Sequence, residues 1–241
     1  MKFSLLLLGA SLALPLAAAA QSSPNKSYIG INSGASFATG NFRGTDAANV
    51  ESGFAKTGFT VALDGAHFFH GGIVGLAGQV AFSDNGRLLA DDLTKLGAAY
   101  TDAFAVAATT LRTSGRYRRL TALVGPTFLF GGDKLKLEVR GLAGVNQMLG
   151  TPELTVQLED DPTNTFTQKS SHSLTFGYAA GVGLHYALTD KLGLVARTDF
   201  IGSSPITIKN ENRNNSVGRL SEKQPITSFN TTLGLAFTLG N

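Results

Sequence analysis

The chain has 241 residues, with 20 lysines and arginines against 17 aspartates and glutamates, 29 glycines, and neither cysteine nor tryptophan. The missing cysteine excludes disulfides, thiolate metal sites, thiol catalysis and a lipid-anchored N-terminal cysteine, and the near-balanced charge gives nucleic acid no footing. Beyond the first 20 residues no run approaches the roughly 18 apolar residues of a membrane helix, which excludes a helical membrane protein.

Residues 1–20, MKFSLLLLGASLALPLAAAA, have one lysine, then leucines and alanines ending on small residues. This is the pattern of a secretory signal peptide, cleaved before Gln21. The remainder, 21–241, reads as one all-β domain, because period-2 alternation recurs between glycine-rich punctuations.

Eight segments carry the alternation. SYIGINSGASF sets Ile29, Ile31, Ala35 and Phe37 against Gly30, Asn32, Gly34 and Ser36; TGFTVALDGAHF sets Phe59, Val61 and Leu63 against Thr60, Ala62, Asp64 and Ala66. In IVGLAGQVAFS, Val74, Leu76, Val80 and Phe82 oppose Gly75, Ala77, Gln79, Ala81 and Ser83. RLLADDLTKLGAAYTDAF follows, with Leu89, Leu93, Leu96 and Tyr100 at helical spacing, and predicts a short amphipathic helix. YRRLTALVGPTFLF and KLKLEVRGLAGVN place Leu120, Val124, Phe128, Leu135, Leu137 and Val139 opposite Arg119, Thr121, Leu123, Lys136, Glu138 and Arg140. In SLTFGYAAGVGLHYAL and KLGLVARTDF, Phe176, Tyr178, Val182, Leu184 and Leu194 oppose Gly177, Gly181, Gly183, His185, Arg197 and Asp199. The last segment, SFNTTLGLAFTLGN, sets Phe229, Leu233, Leu235 and Phe237 against Asn230, Thr232, Gly234 and Ala236.

The connections alternate in length. FHGG, GGD and TD are tight-turn chemistry, whereas 38–56, 84–115, 149–170 and 202–225 are long and polar. One face is bulky and apolar and the other is small and polar with scattered charges. That is the inverse of a soluble barrel, and it suits hydrocarbon outside and a narrow lumen inside. In hydrocarbon an open sheet edge leaves backbone groups unpaired, so the sheet must close.

The stretches YRRLTALVGPTFLFGGDKLKLEVRGLAGV and SLTFGYAAGVGLHYALTDKLGLVARTDF, with the final strand, resemble the small eight-stranded OmpA/OmpX-type outer-membrane β-barrels and porin-family proteins of Gram-negative bacteria. The resemblance implies a closed antiparallel up-and-down transmembrane barrel with short periplasmic turns and long external loops. It also implies residence in the outer membrane after export, with membrane lipids, lipopolysaccharide and the assembly machinery as partners, and a surface ligand met by the loops. Such barrels often finish on an aromatic residue; this chain ends AFTLGN, with Phe237 and Leu239 the nearest equivalents.

The lumen charges Asp64, Glu138, Arg140, Arg197, Asp199 and Arg119 are expected to pair as an internal plug, since buried charges need partners. Counted from the short turns, Asp64 and Glu138 share a height, Arg140 and Arg197 stand a pleat pair above, and Asp199 and Arg119 higher still; Glu138 and Arg140 are expected as partners. Aromatic girdles are expected at Phe68, Phe69, Phe128, Phe130, Tyr186 and Phe237 on one side, and at Phe37, Phe59, Phe82, Tyr117 and Phe200 on the other. Some eight-stranded barrels are lipid A deacylases or acyltransferases, which draws attention to Ser171, His172 and Ser173. Alternation points the imidazole away from the hydroxyls, and a nucleophile must reach its base. His67, His70 and His185 are scattered rather than clustered as metal ligands would be. Nothing in the sequence marks catalytic, cofactor or metal residues, and the expectation is a structural or surface-interaction protein without turnover, with a narrow porin as the alternative and a lipid-modifying enzyme behind it. The last loop, KNENRNNSVGRLSEKQ, reads as polar and mobile, its bases placed to meet lipopolysaccharide phosphates.

Overall fold

The computed structural model describes residues 24–47, 49, 51–104, 106–159, 165–212 and 220–239. The expected signal peptide lies outside them. In chain order the elements are β1 (Ser27–Ala38), a helical turn α1 (Gly40–Arg43), β2 (Gly58–Phe68), β3 (Val74–Asp84), α2 (Ala90–Phe104), β4 (Thr109–Ser114), β5 (Arg118–Gly131), β6 (Leu135–Gly150), β7 (Glu153–Leu158), β8 (Thr165–Gln168), β9 (Leu174–Ala187), β10 (Leu192–Ser203), β11 (Ile206–Asn212), β12 (Leu220–Gln224) and β13 (Thr227–Leu239).

Eight of the strands close a barrel in the order β1-β2-β3-β5-β6-β9-β10-β13, with every pairing antiparallel. β13 meets β1 in register from Ser27 opposite Leu239 to Ala38 opposite Ser228, so no sheet edge is left in the wall. These are the eight segments with period-2 alternation, and the alternation sorts inside from outside. Ile31, Leu63, Leu174 and Leu233 point outward with more than half of their surface uncovered, which water would penalise and hydrocarbon does not.

The lumen is packed. The small face expected from the sequence also carries Leu123, Leu129, Leu142, Val195 and Ile201, which join Tyr28 and Phe68 in one buried cluster. Glycines on neighbouring strands make the room: a Cβ on Gly177 would stand 3.3 Å from Leu123 Cδ2.

The long connections are not only loops. β4, β7, β8, β11 and β12 form a second, five-stranded sheet in the order β12-β11-β8-β7-β4, built on strands that continue past the barrel. Three of the junctions fall at Pro152, Pro205 and Pro225, where the missing amide hydrogen breaks the ladder. The polar stretch after Ile208 reads as mobile in the sequence, but Lys209–Asn212 and Leu220–Gln224 lie in β11 and β12; 213–219 fall outside the described residues. Inward residues of this extension, Ile206 and Ile208, join Ala38, Phe42, Ala55, Tyr117, Met148 and Ile226 in a buried cluster across the barrel mouth.

The expected amphipathic helix is α2. Leu93, Leu96 and Tyr100 pack with Leu111 and Phe166 against Phe54, Leu88, Leu154 and Val156. Leu89, expected on the same apolar stripe, precedes the helix and is exposed; its backbone N–H caps onto Asp92 Oδ2 at 2.8 Å.

Candidate functional site

Five of the six lumen charges meet at one place. Arg140 takes Asp199 with two bonds, Nε to Oδ1 at 3.0 Å and Nη2 to Oδ2 at 2.6 Å, and reaches across the lumen to Asp64 Oδ2 at 3.1 Å. Arg197 bonds the same Asp64 oxygen with Nη1 and gives Nη2 to Glu138 Oε2 at 2.6 Å. All five side chains are essentially dry. In this setting each charge needs such partners, because a lone ion there costs several kcal/mol.

Strand register explains the assembly. Arg140, Gly181 and Asp199 occupy one lateral row across β6, β9 and β10, and Glu138, Gly183 and Arg197 occupy the next. The central strand contributes only hydrogen atoms at both rows, so side chains from its two neighbours meet in front of it. A Cβ on Gly181 would overlap Asp199 Oδ1. The expected partnership of Glu138 with Arg140 is therefore corrected to Glu138 with Arg197. Heights counted from the turns ignore the stagger between tilted strands.

Arg119 does not belong to this cluster, a second correction. It lies on the lumen face of β5 opposite Met148, whereas Thr127 is opposite Arg140; eight residues along a strand is about 26 Å. Its Nη2 donates to Ser228 Oγ, while Nε and Nη1 have no partner among the described residues.

Sequence reasoning missed the uncharged members. Glu138 also accepts from Tyr28 OH at 2.8 Å and Thr127 Oγ1 at 3.0 Å, His185 Nε2 stands 3.0 Å from its Oε2, and Asn32 Nδ2 donates to Asp64 Oδ1 at 2.7 Å. Tyr28, Asn32, Thr127 and His185 share the inward parity, which was the available signal. His185 also lines a vestibule of about 400 Å³ at the short-turn end, with Lys26, Asp133, Lys134, Lys136 and Asp190.

Of the expected girdle aromatics, Phe37, Phe59, Phe128, Tyr186 and Phe237 are exposed on the wall, and Phe69 is exposed in the short turn between β2 and β3. Phe82, Phe130 and Phe200 are half-buried beside Phe59, Phe128 and Phe229. Two are corrected. Phe68 has the even parity of Asp64 and Ala66 and is buried in the lumen 6.5 Å from the Tyr28 ring. Tyr117 precedes β5 and is buried edge-on against Phe42 at 5.0 Å; its phenol, 3.4 Å from Gln224 Oε1, is pushed well above its ordinary range by burial.

The Ser171 and Ser173 hydroxyls bond each other at 2.8 Å, and Ser171 Oγ donates to the Thr207 carbonyl at 2.8 Å, while His172 is exposed. Among the described residues no three histidines, aspartates or glutamates gather as metal ligands.

A closed eight-stranded barrel with an apolar outer wall and a packed, ion-paired interior defines the small transmembrane β-barrels. The sequence matches the outer membrane protein β-barrel domain over residues 5–237, and the chain belongs to that family. It is a protein of the bacterial outer membrane. Comparison with functionally curated proteins finds no match.

Among solved structures the chain is similar to Neisserial surface protein A, at 11% identity and a TM-score of 0.49, covering 88% of this chain and 97% of that one. It is also similar to a major outer membrane protein from Thermus thermophilus, at 16% identity and a TM-score of 0.48 over 88% and 99% of the two chains. A third is Ail, the attachment invasion locus protein of Yersinia pestis, solved with the heparin analogue sucrose octasulfate, at 13% identity and a TM-score of 0.42 over 90% and 100%.

Proposed function

We propose that this barrel is a surface-interaction protein of the outer membrane that presents a folded binding face without transporting solutes or turning over a substrate. The observation that carries the reading is the five-stranded sheet with α2 packed on its own apolar cluster beyond the barrel. Ordering that much chain costs conformational entropy that a bare membrane anchor need not spend. The lumen supports the same reading, since dry ion pairs and large apolar side chains fill it at successive levels. The partners in this reading are outer-membrane lipids and lipopolysaccharide around the wall, the assembly machinery during insertion, and a surface ligand at the sheet.

Two measurements test it. Purified protein in planar bilayers is expected to give no stable stepwise conductance, and lipid A from expressing cells is expected to keep its mass. Barrels whose extracellular sheet is exchanged for short turns are expected to lose binding on arrays of host-matrix proteins and glycans while the full chain retains it. Regular channels, altered lipid A, or array binding unchanged by the exchange would each overturn the proposal.

A further inference from the structure

At the outer end of the β3–β5 seam three arginines stand where the lipid-facing wall stops. Gly86 and Gly115, with φ of 83° and 79°, turn the two connections there. Asn85 N–H donates to the Tyr117 carbonyl and Tyr117 N–H to the Gly86 carbonyl, both at 2.8 Å. Arg87, Arg116 and Arg118 are thereby held on adjacent stretches of chain.

Asp84 organises two of them. It takes Arg116 in a fork, Nε to Oδ2 at 2.9 Å and Nη2 to Oδ1 at 3.0 Å, accepts Arg118 Nε at 3.2 Å, and accepts the Gly86 N–H at 2.8 Å. Its own side chain is 4% exposed, while those of Arg116 and Arg118 are 41% and 52% exposed. One buried carboxylate thus orders two guanidinium groups without neutralising both, and Arg87 adds a third charge. The nearby Asp92 is already engaged by Lys56 at 2.8 Å and by the Leu89 N–H.

The arginines line a groove of about 600 Å³ that also includes Leu89 and Leu149, both exposed. Arg118 alternates with buried Arg119, so it points outward, above Leu120 and Val124 on the lipid-facing column. Leu149 is the unpaired residue of a bulge opposite Arg118 and Arg119, which tips it out of the ladder.

We infer that this groove binds an outer-leaflet lipid through its phosphorylated headgroup, with the arginine forks on phosphate oxygens and the two leucines against the start of the acyl chains. Planar guanidinium groups pre-set by a shared carboxylate match phosphate oxygens two at a time. The leucines and the position just past the apolar band favour a lipid over free phosphate. The site is distinct from the last external loop, whose bases the sequence alone puts forward for this role, and it rests on the membrane placement, not on the proposed surface-binding role.

The test is native mass spectrometry of the full barrel in detergent micelles, titrated with bis-phosphorylated lipid A, with dephosphorylated lipid A, and with inorganic phosphate. Wild type is expected to retain bis-phosphorylated lipid A, and R116Q/R118Q to bind it roughly tenfold more weakly or worse, as loss of one charge-assisted contact implies. Arg87→Gln, which leaves every Asp84 bond in place, is expected to weaken it severalfold, and Lys223→Gln on β12 to leave it unchanged. Heat-modifiable gel mobility checks that each variant is folded. Equal retention of both lipid A forms, no effect of Arg87→Gln together with the double variant, or displacement of lipid A by millimolar phosphate would overturn the inference.

Discussion

The ion-pair cluster makes an unequal prediction for its two central members. Glu138, Asp64 and Asp199 put three carboxylates against the two guanidiniums of Arg140 and Arg197. Removing the positive charge in Arg197→Met leaves three buried carboxylates facing one arginine, and the expected cost is about 3–5 kcal/mol, that of breaking a buried pair. Removing the negative charge in Glu138→Gln leaves two against two. The amide oxygen still accepts from Tyr28 and Thr127, which now bond Oε1 at 2.8 and 3.0 Å, while the amide nitrogen meets the donor Arg197 Nη2, which now bonds Oε2 at 2.6 Å. That mismatch is expected to cost about 1–3 kcal/mol. In the double variant neither is stranded, so its cost falls short of the sum by about 1–3 kcal/mol. Urea unfolding in lipid vesicles, followed by far-ultraviolet circular dichroism and gel mobility because the chain has no tryptophan, measures all three. A cost for Glu138→Gln equal to or above that for Arg197→Met, or additivity within about 0.5 kcal/mol, would refute the pairing.

Other outcomes follow from the same structure and the same unfolding assay. Leu235, outward between Ile31 and Leu194 on its neighbouring strands, is expected to lose about 2–4 kcal/mol as Leu235→Arg, against less than about 0.5 kcal/mol for Lys223→Gln on β12; equal midpoints would reverse the assignment of inside and outside. Arg119→Met removes a buried guanidinium that faces no carboxylate among the described residues and is expected to stabilise by about 1–4 kcal/mol, whereas a lowered midpoint would show that its charge is compensated. Gly181→Ala drives a methyl into Asp199 Oδ1, so it must unseat Asp199 from Arg140, and a loss of about 3 kcal/mol or more is expected; a neutral result would sink the two-row arrangement.

Much of the barrel was legible because a strand has a period of two and a membrane has one chemistry. Each residue's parity says which solvent it meets, and tight-turn residues such as those around Gly131 mark where parity restarts. The same rule contained facts left unread: Phe68 and Tyr28 have the inward parity of Asp64 and Glu138, and Pro152, Pro205 and Pro225 mark where strands leave the barrel for a second sheet. By itself, then, the sequence determined the closed barrel, its eight strands and the charges that face its lumen, all of which depend on alternation along one strand. Which charge meets which was decided only by the tertiary structure, because partners such as Asp64 and Arg197 stand 133 residues apart, and their meeting depends on the stagger of tilted strands. The same holds for the isolation of Arg119 and for the three arginines gathered above the lipid wall. Those distances are set when the barrel closes, and no local period encodes them.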